Sequence, residues 1–286
     1  MKKFNGILYV ILSSTFFGII PILAKIAYGS GANADTTLFL RFAFAIIILL
    51  CYFKFKHISI KLGLKEFCFV MLLGALGYSI MSLLLFASYN YMDVGVASMI
   101  IYVYPTIVTI LSAIIYKEKI SLRKVICLII SVIGIVVIID LGGNKFSLKG
   151  TILVLLAALS YSCYVLGASS KTVRSIDSFV MSFYVSLASA IAIGIKGAIC
   201  GNLNFNIGIY GIGAILLLAI ISTVIALMLF LKGVKIIGPS NASIFGTLEP
   251  IVGMVLGVLV LGEAITINKI MGSVLIILSM VLLAKE

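Results

Sequence analysis

Charged residues are scarce in this chain of 286 residues. Only 10% of them are Asp, Glu, Lys or Arg, against about 25% in an ordinary globular protein. Hydrophobic residues reach 63%, well above the roughly 45–50% of a soluble domain. A chain with so few charges cannot cover a surface that faces water, so a soluble fold is excluded. We predict an integral membrane protein.

The side chains that usually carry out catalysis or bind metals are also rare. His57 is the only histidine, tryptophan is absent, and the five cysteines form no CxxC pair. No GxxxxGK[ST] loop for ATP and no GxSxG nucleophile motif occurs. An intramembrane enzyme would need a nucleophile with a base, paired aspartates or metal ligands. We therefore predict neither an enzyme nor a cofactor or metal site, and keep the intramembrane enzyme as a weak alternative.

Long apolar runs fill most of the chain. A helix needs about 20 residues to cross the hydrocarbon core of a bilayer, and the runs between charges have this length. The predicted fold is an all-α membrane protein of ten transmembrane helices with short loops, so any site must lie inside the bundle. The helices are predicted near 6–28, 36–53, 67–89, 96–115, 123–140, 150–170, 178–196, 209–231, 240–261 and 268–284.

The net charge of +12 is distributed unevenly along the chain. Most Lys and Arg residues fall in the segments on one side of the predicted bundle, the side that holds both ends of the chain. Since positive loops stay in the cytoplasm, we predict a multi-pass protein of the cell membrane with both termini cytoplasmic. The charge is thus explained by orientation, and no nucleic-acid partner is expected.

Lys2 and Lys3 before the first apolar run also resemble the start of a signal peptide. We expect this run to remain in the mature protein, because the repeat described next needs it as a helix.

The two halves of the chain resemble each other. Residues 96–124 lie over 241–269 without a gap at a shift of 145. Each half holds five predicted helices, an odd number, so the second half would cross the membrane upside down. Inverted repeats of this kind are typical of transporters, with the substrate site near the midplane. The predicted units are residues 1–140 and 141–286. The matched positions include Ala97/Ala242, Pro105/Pro250, Leu111/Leu256, Glu118/Glu263 and Lys124/Lys269.

Glu249 is the most informative single residue, because it lies at the centre of predicted helix nine. A carboxylate at that depth costs about 2.5–3.5 kcal/mol on insertion scales and is a functional candidate by default. Three roles remain open: binding of a cationic or zwitterionic substrate, carrying a coupling proton, or pairing with a buried Lys or Arg. Arg41 is the other intramembrane charge, and its shallow position favours structural pairing or lipid anchoring.

Several helices also carry polar or aromatic side chains at helical spacing. Such stripes face either a cavity or a neighbouring helix, since Ser and Thr also form interhelical hydrogen bonds. Pro105 and Pro250 lie mid-span at matching positions, which favours a hinge or cavity-shaping role over simple kinks. The candidate substrate-binding residues are Glu249, Tyr78, Tyr102, Ser82, Ser98, Phe17, Tyr161, Ser243 and Thr247.

Three sequence segments point to a known family. "NASIFGTLEPIVGMVLGVLVLGEAI", its counterpart "ASMIIYVYPTIVTILSAIIYKEKIS" and "LRFAFA" resemble the EamA-like branch of the drug/metabolite transporter superfamily. This resemblance covers the whole chain and implies a secondary carrier, often an exporter of amino acids or related metabolites, with a central cavity open to each side in turn. The first half departs from the family pattern, since Tyr104 replaces the acidic residue before Pro105 and "YKE" replaces "LGE".

The most favoured function is therefore export of an amino acid or related amine-bearing metabolite. Two rivals within transport are kept: uptake of a choline-like quaternary amine in a cage of tyrosines around a carboxylate, and a lipid-carrier flippase. The expected partners are a small-molecule substrate and the bilayer. A coupling proton and a homodimer stay open as hypotheses.

Overall fold

The computed structural model describes residues 2–88, 91–92, 97, 100–139, 147–261 and 266–284. Within this part of the chain every regular element is a helix, so the predicted all-α class is confirmed. Numbered in chain order, the helices are α1 (Lys3–Gly29), α2 (Ala34–Lys56), α3 (Leu64–Ser88), α4 (Ile101–Tyr116), α5 (Leu122–Ile139), α6 (Leu148–Ala168), α7 (Ser178–Ile199), α8 (Ile209–Ile237), α9 (Pro239–Val260) and α10 (Ile267–Ala284).

The helices have the length and surface of membrane spans. Among the described residues, α1, α2, α3, α6, α7, α8 and α9 are each long and apolar enough to cross a bilayer, while α4 and most of α10 are shorter apolar helices. Large apolar side chains point outwards, and Leu122, Ile209 and Leu259 are each 75% exposed. Such surface is stable only against lipid. The protein is an integral membrane protein.

Helix α8 continues beyond residue 231, where the sequence predicted its end, and includes Lys232 and Lys235. The Lys232 ammonium lies 5.8 Å from the centre of the Tyr9 ring and 5.3 Å from that of Phe179. One turn further on, Lys235 donates a hydrogen bond to the carbonyl of Ile176. Both charges are satisfied by neighbouring segments, so the helix continues where the charge-free run stops.

The helices pack in pairs. α2 packs on α7, α4 on α9 and α5 on α10, while α1 packs on α8 and α3 on α6. Close approach depends on glycine in several of these pairs. Gly77 of α3 lies against the backbone of Tyr164 in α6, where an added Cβ atom would come within 2.8 Å of the Tyr164 Cβ. Small residues allow membrane helices to approach in this way.

Five helices are irregular in their middle or at their start. α1 is interrupted between Phe17 and Ile20, and α9 between Gly246 and Glu249. A 3₁₀ turn, Ile101–Val103, precedes Tyr104 in α4. Leu73–Tyr78 in α3 and Leu218–Ala226 in α8 are π-helical, and these two segments begin 145 residues apart. Departures from α geometry free backbone groups and often mark functional sites.

Candidate functional site

A cluster of tyrosines occupies the centre of the bundle, with Tyr161 of α6 in its middle. The Tyr161 ring centre lies 4.8 Å from that of Tyr104, 6.3 Å from that of Tyr78 and 6.0 Å from that of Tyr164. Tyr102 adjoins Tyr104 at 6.1 Å. All but Tyr161 are buried, and Tyr161 is half-buried. We call these five residues the tyrosine cluster. Helices α3, α4 and α6 supply it.

Glu249 lies against this cluster from α9. The hydroxyl of Tyr102 is within hydrogen-bonding reach of its carboxylate, and the charge of Glu249 also acts on Tyr104, Tyr161 and Tyr78. Glu249 is half-buried although it lies deep in the bundle. A carboxylate in such a place keeps some accessible surface for a ligand or a proton.

The break in α9 helps to place a negative charge at this position. Glu249 is the first residue of the second helical segment, Glu249–Leu261. The positive end of a helix dipole stabilises an anion by about 0.3–1 kcal/mol, although the N–H groups of Ile251 and Val252 here already donate to the carbonyl of Leu248. Pro250 follows at once, where its missing N–H costs nothing. Pro105 has the same place at the start of Tyr104–Tyr116 in α4. Both prolines are buried at helix starts rather than at kinks within continuous helices.

The break in α1 lies next to the break in α9. A Cβ atom added to Gly18 would come within 2.7 Å of Val252 and 3.1 Å of the carbonyl oxygen of Glu249. Only a residue without a side chain allows this approach. Phe17, the residue before it, is buried in the same core as the tyrosine cluster. The interrupted middle of α1 thus forms another wall beside Glu249.

Arg41 is buried, with 4% of its surface exposed. Its Nε donates to the Thr223 hydroxyl at 2.6 Å and its Nη2 to the Tyr78 hydroxyl at 3.3 Å. Of the two roles that the sequence favoured for Arg41, this burial and these hydrogen bonds agree with structural pairing and not with lipid anchoring. Tyr78 and Thr223 belong to the two π-helical segments of α3 and α8, so one guanidinium joins both irregular segments to α2.

The candidate hydroxyls bind within their own helices in this conformation. Ser82 donates to the carbonyl of Tyr78 at 2.9 Å, Ser243 to that of Ser240 at 2.8 Å and Thr247 to that of Ile244 at 2.7 Å. All three are buried. Their placement near the cluster leaves a substrate role as a hypothesis. Ser98 lies outside the described residues.

Two pockets on the described surface lie away from the tyrosine cluster. One is a polar groove between the α2–α3 and α6–α7 loops, and the other is an apolar dent between α4 and α5. The rings of the cluster contact one another directly. Among the described residues no group of three His, Cys, Asp or Glu side chains could hold a metal ion.

A model of the EamA-like transporter family matches residues 4–140 and 148–285. The chain belongs to this family. The resemblance that the sequence showed is therefore confirmed, and the family points to a transporter rather than an enzyme.

Individual relatives of this EamA-like transporter agree with that assignment. The chain is 27% identical to an uncharacterized transporter of Archaeoglobus fulgidus over the full length of both chains. It is also 27% identical to an uncharacterized transporter of Clostridium kluyveri, over 99% of this chain and 93% of the relative. One solved crystal structure has the same fold, with a TM-score of 0.82 and 15% identity over 98% of this chain and 99% of that chain.

Two polar networks fasten opposite ends of this EamA-like bundle. At the end where α1 begins, Glu118 forms an ion pair with Lys124 at 2.7 Å and accepts hydrogen bonds from Ser112 and from Ser240 of α9. Partial burial acts to raise the pKa of Glu118, but these donors outweigh it and hold the pKa below its usual 4.5. The network therefore keeps its full strength at neutral pH and weakens only as the pH falls through that lowered value.

At the other end, Asp35 joins the start of α2 to the end of α7. Its carboxylate oxygens lie 2.6 Å from the Lys196 ammonium, and Asn202 donates to the same carboxylate at 3.2 Å. Asn33 caps α2 and also donates to the carbonyl of Asn202. Each end of the bundle thus has one ion pair with further hydrogen bonds around it.

Four residues of the site were not among the candidates from sequence: Arg41, Tyr104, Tyr164 and Thr223. Tyr104 occupies the position in the first half of the chain that is equivalent to Glu249 in the second half. This equivalence could have identified Tyr104 as a site residue from the sequence. Thr223 likewise lies 145 residues after Tyr78. The shift that aligned the two halves therefore relates both pairs.

Proposed function

We propose that this protein is a secondary transporter that moves an amino acid or a related amine-bearing metabolite by alternating access, in the direction of export. The observation that carries the proposal is Glu249, a half-buried carboxylate at a helix break beside the tyrosine cluster. A carboxylate surrounded by tyrosine rings attracts an ammonium group by charge and by cation–π interaction. The family supports transport of a small solute. The export direction rests on the resemblance to amino acid and metabolite exporters.

The proposed architecture is a bundle of ten spans in two inverted repeats, residues 1–140 and 141–286. The packing pattern supports it, because exchanging the two halves turns the α1–α8 pair into the α6–α3 pair and leaves the α2–α7, α4–α9 and α5–α10 pairs unchanged. The π-helical segments of α3 and α8 keep the repeat offset of 145 residues. Tyr104 and Glu249, which follow irregular turns, keep the same offset. Repeats related in this way would provide one gate at each end of a shared site.

The distribution of charge supports an orientation in the membrane, and the family and the sequence support a type of driving force. The excess of Lys and Arg at the end where α1 begins supports a cytoplasmic position for that end and for both termini. The family and the lack of a P-loop favour a driving force from an ion gradient, the substrate gradient or exchange. Glu249 is also the residue best placed to carry a coupling proton, since a carboxylate deep in a bundle can exchange its charge for a proton.

A second candidate function is uptake of a quaternary amine. The tyrosine cluster favours it, because rings stacked around a carboxylate are the usual setting for trimethylammonium groups. The buried guanidinium of Arg41 beside the same cluster counts against it, since a ligand without an anionic group has nothing to offer an arginine.

A thermal-shift screen of the purified protein tests the proposal. The twenty common amino acids, polyamines, choline and betaine would each be added to protein in detergent, and the apparent melting temperature followed. We expect at least one amino acid to raise it in a saturable way, since ligand binding to the folded state stabilises it. Stabilisation by choline alone would favour the second candidate. A screen in which no compound stabilises the protein, followed by absence of uptake into proteoliposomes, would contradict both.

A further inference from the structure

Arg41 is a buried cation without a matching anion among the described residues. The ion pairs in this part of the chain join Lys124 to Glu118 and Lys196 to Asp35, and no carboxylate lies within 4.0 Å of the Arg41 guanidinium. Its two side-chain hydrogen bonds go to neutral hydroxyls, those of Thr223 and Tyr78. A charge inside a membrane protein ordinarily pairs with an opposite charge or marks a ligand pathway.

The guanidinium of Arg41 also has N–H groups that do not take part in these two hydrogen bonds. It carries more N–H groups than the two that bind Thr223 and Tyr78, and the fork geometry of those groups suits a carboxylate. The cation lies 5.4 Å from the centre of the Phe42 ring. The Phe42 ring in turn packs on that of Tyr78 at 5.8 Å. Arg41 is thus held in place by apolar and neutral contacts, with donor capacity left over.

Glu249 and Arg41 both adjoin the tyrosine cluster. From Arg41 the contacts run through Tyr78, Tyr161 and Tyr104 to Tyr102, which reaches Glu249. The two charges are close enough to influence each other but form no ion pair. Neither side chain has an ion-pair partner within 4.0 Å among the described residues. A solute with an ammonium group and a carboxylate would satisfy both.

Tyr164 adds to the same cluster a buried hydroxyl without a hydrogen-bond partner among the described residues. Its side chain is fully buried in the cluster. A buried hydroxyl without a partner costs about 1–3 kcal/mol. The cost is removed when a ligand or an ordered water supplies the missing partner.

We propose that Arg41 binds the carboxylate of the transported solute while Glu249 receives its ammonium group, so that the substrate is a zwitterionic α-amino acid rather than a simple amine. This inference rests on the proposed function and narrows its substrate class. It makes Arg41 a specificity-determining residue. A decarboxylated or amidated analogue keeps the ammonium group and the side chain but loses the group that Arg41 recognises.

The competing role for Arg41 is structural, because it joins the π-helical segments of α3 and α8 to α2. A structural arginine would stabilise the fold without distinguishing between ligands. The two roles are separated by comparing the binding of three forms of one solute: the amino acid that stabilises the protein most, its carboxamide and its decarboxylated amine. This comparison begins with the wild-type protein and does not depend on whether a variant folds.

Isothermal titration of the three ligands into wild type, Arg41→Lys and Arg41→Gln tests the inference. We expect wild type to bind the acid about 10- to 100-fold more tightly than the amide or the amine, as for loss of a hydrogen-bonded charge. In Arg41→Gln the acid should weaken to the level of the amide, while amide and amine keep their wild-type affinity. Arg41→Lys should retain part of the preference, since it keeps the charge but loses the fork.

Three outcomes would contradict the role of Arg41, and they differ in what they mean for the proposed function. Equal binding of acid, amide and amine by wild type would overturn the role of Arg41 and leave an amine transporter intact. An equal loss of all three ligands in a folded Arg41→Gln variant would assign Arg41 a structural role instead. Binding of none of the three by wild type would contradict the role of Arg41 and the proposed function together.

Discussion

Replacing Glu249 by Gln should reduce substrate counterflow in proteoliposomes by about 10- to 100-fold. The change keeps the shape of the side chain but removes the charge that faces the tyrosine cluster and the ammonium group of the solute. Loss of a charged hydrogen bond at a buried site costs about 1.5–3 kcal/mol in binding. Counterflow is the suitable assay because it needs the binding site to reach both faces but needs no net driving force.

Glu66→Gln is the matched control for this experiment. It is the same chemical change, made at a half-buried carboxylate in the first turn of α3, next to the loop that follows α2. Its counterflow should stay within about twofold of wild type, as expected for a residue away from the site. If Glu249→Gln and Glu66→Gln both retained normal counterflow, Glu249 would be a packing residue and the proposed site would be misplaced.

Gly134→Ala should lower the apparent melting temperature of the purified protein by several degrees. In the α5–α10 pair, a Cβ atom at Gly134 would come within 2.8 Å of the backbone carbonyl oxygen of Gly272 and 2.9 Å of Ile276. A backbone atom cannot turn aside as the end of a flexible side chain can, so the two helices must separate. Overpacking of this kind costs about 1–3 kcal/mol, and Gly134→Val should cost more.

The control here is Gly213→Ala in α8, since an added Cβ atom there meets no other atom within 4 Å. Alanine favours a helix over glycine by about 0.8–1.0 kcal/mol, so this variant should melt at the wild-type temperature or slightly above it. A Gly134→Ala protein as stable as Gly213→Ala would mean that α5 and α10 approach less closely than described.

The sequence was most informative where charge and chain breakers interrupt an apolar background. Glu249 and Tyr102 could be singled out because a carboxylate and a phenol at mid-span are costly in hydrocarbon and need partners. The start of α7 at residue 178 was predicted from the apolar run alone, and the structure shows that Asp177 caps the helix there. Such residues act locally, so their effect can be predicted without knowing the neighbouring helices.

The direction in which a side chain points was much harder to predict. α2 is apolar on all sides, so no polar stripe indicates which face packs on α7 and α8. Arg41 could therefore be read as reaching lipid, although the structure turns it towards Thr223 and Tyr78. The hydroxyls of Ser82, Ser243 and Thr247 pose the same difficulty. A serine that binds its own helix and one that lines a cavity have the same spacing in sequence.

Substituted-cysteine accessibility at Tyr161 tests most directly the claim that one central site opens to each face in turn. Tyr161→Cys would be introduced into a variant that lacks the five native cysteines and retains counterflow, and then treated with a membrane-impermeant thiol reagent from either side of sealed vesicles. We predict labelling from both sides, slowed by the transported amino acid in both cases. Labelling from one side only, or labelling that the amino acid does not change, would contradict alternating access to this site.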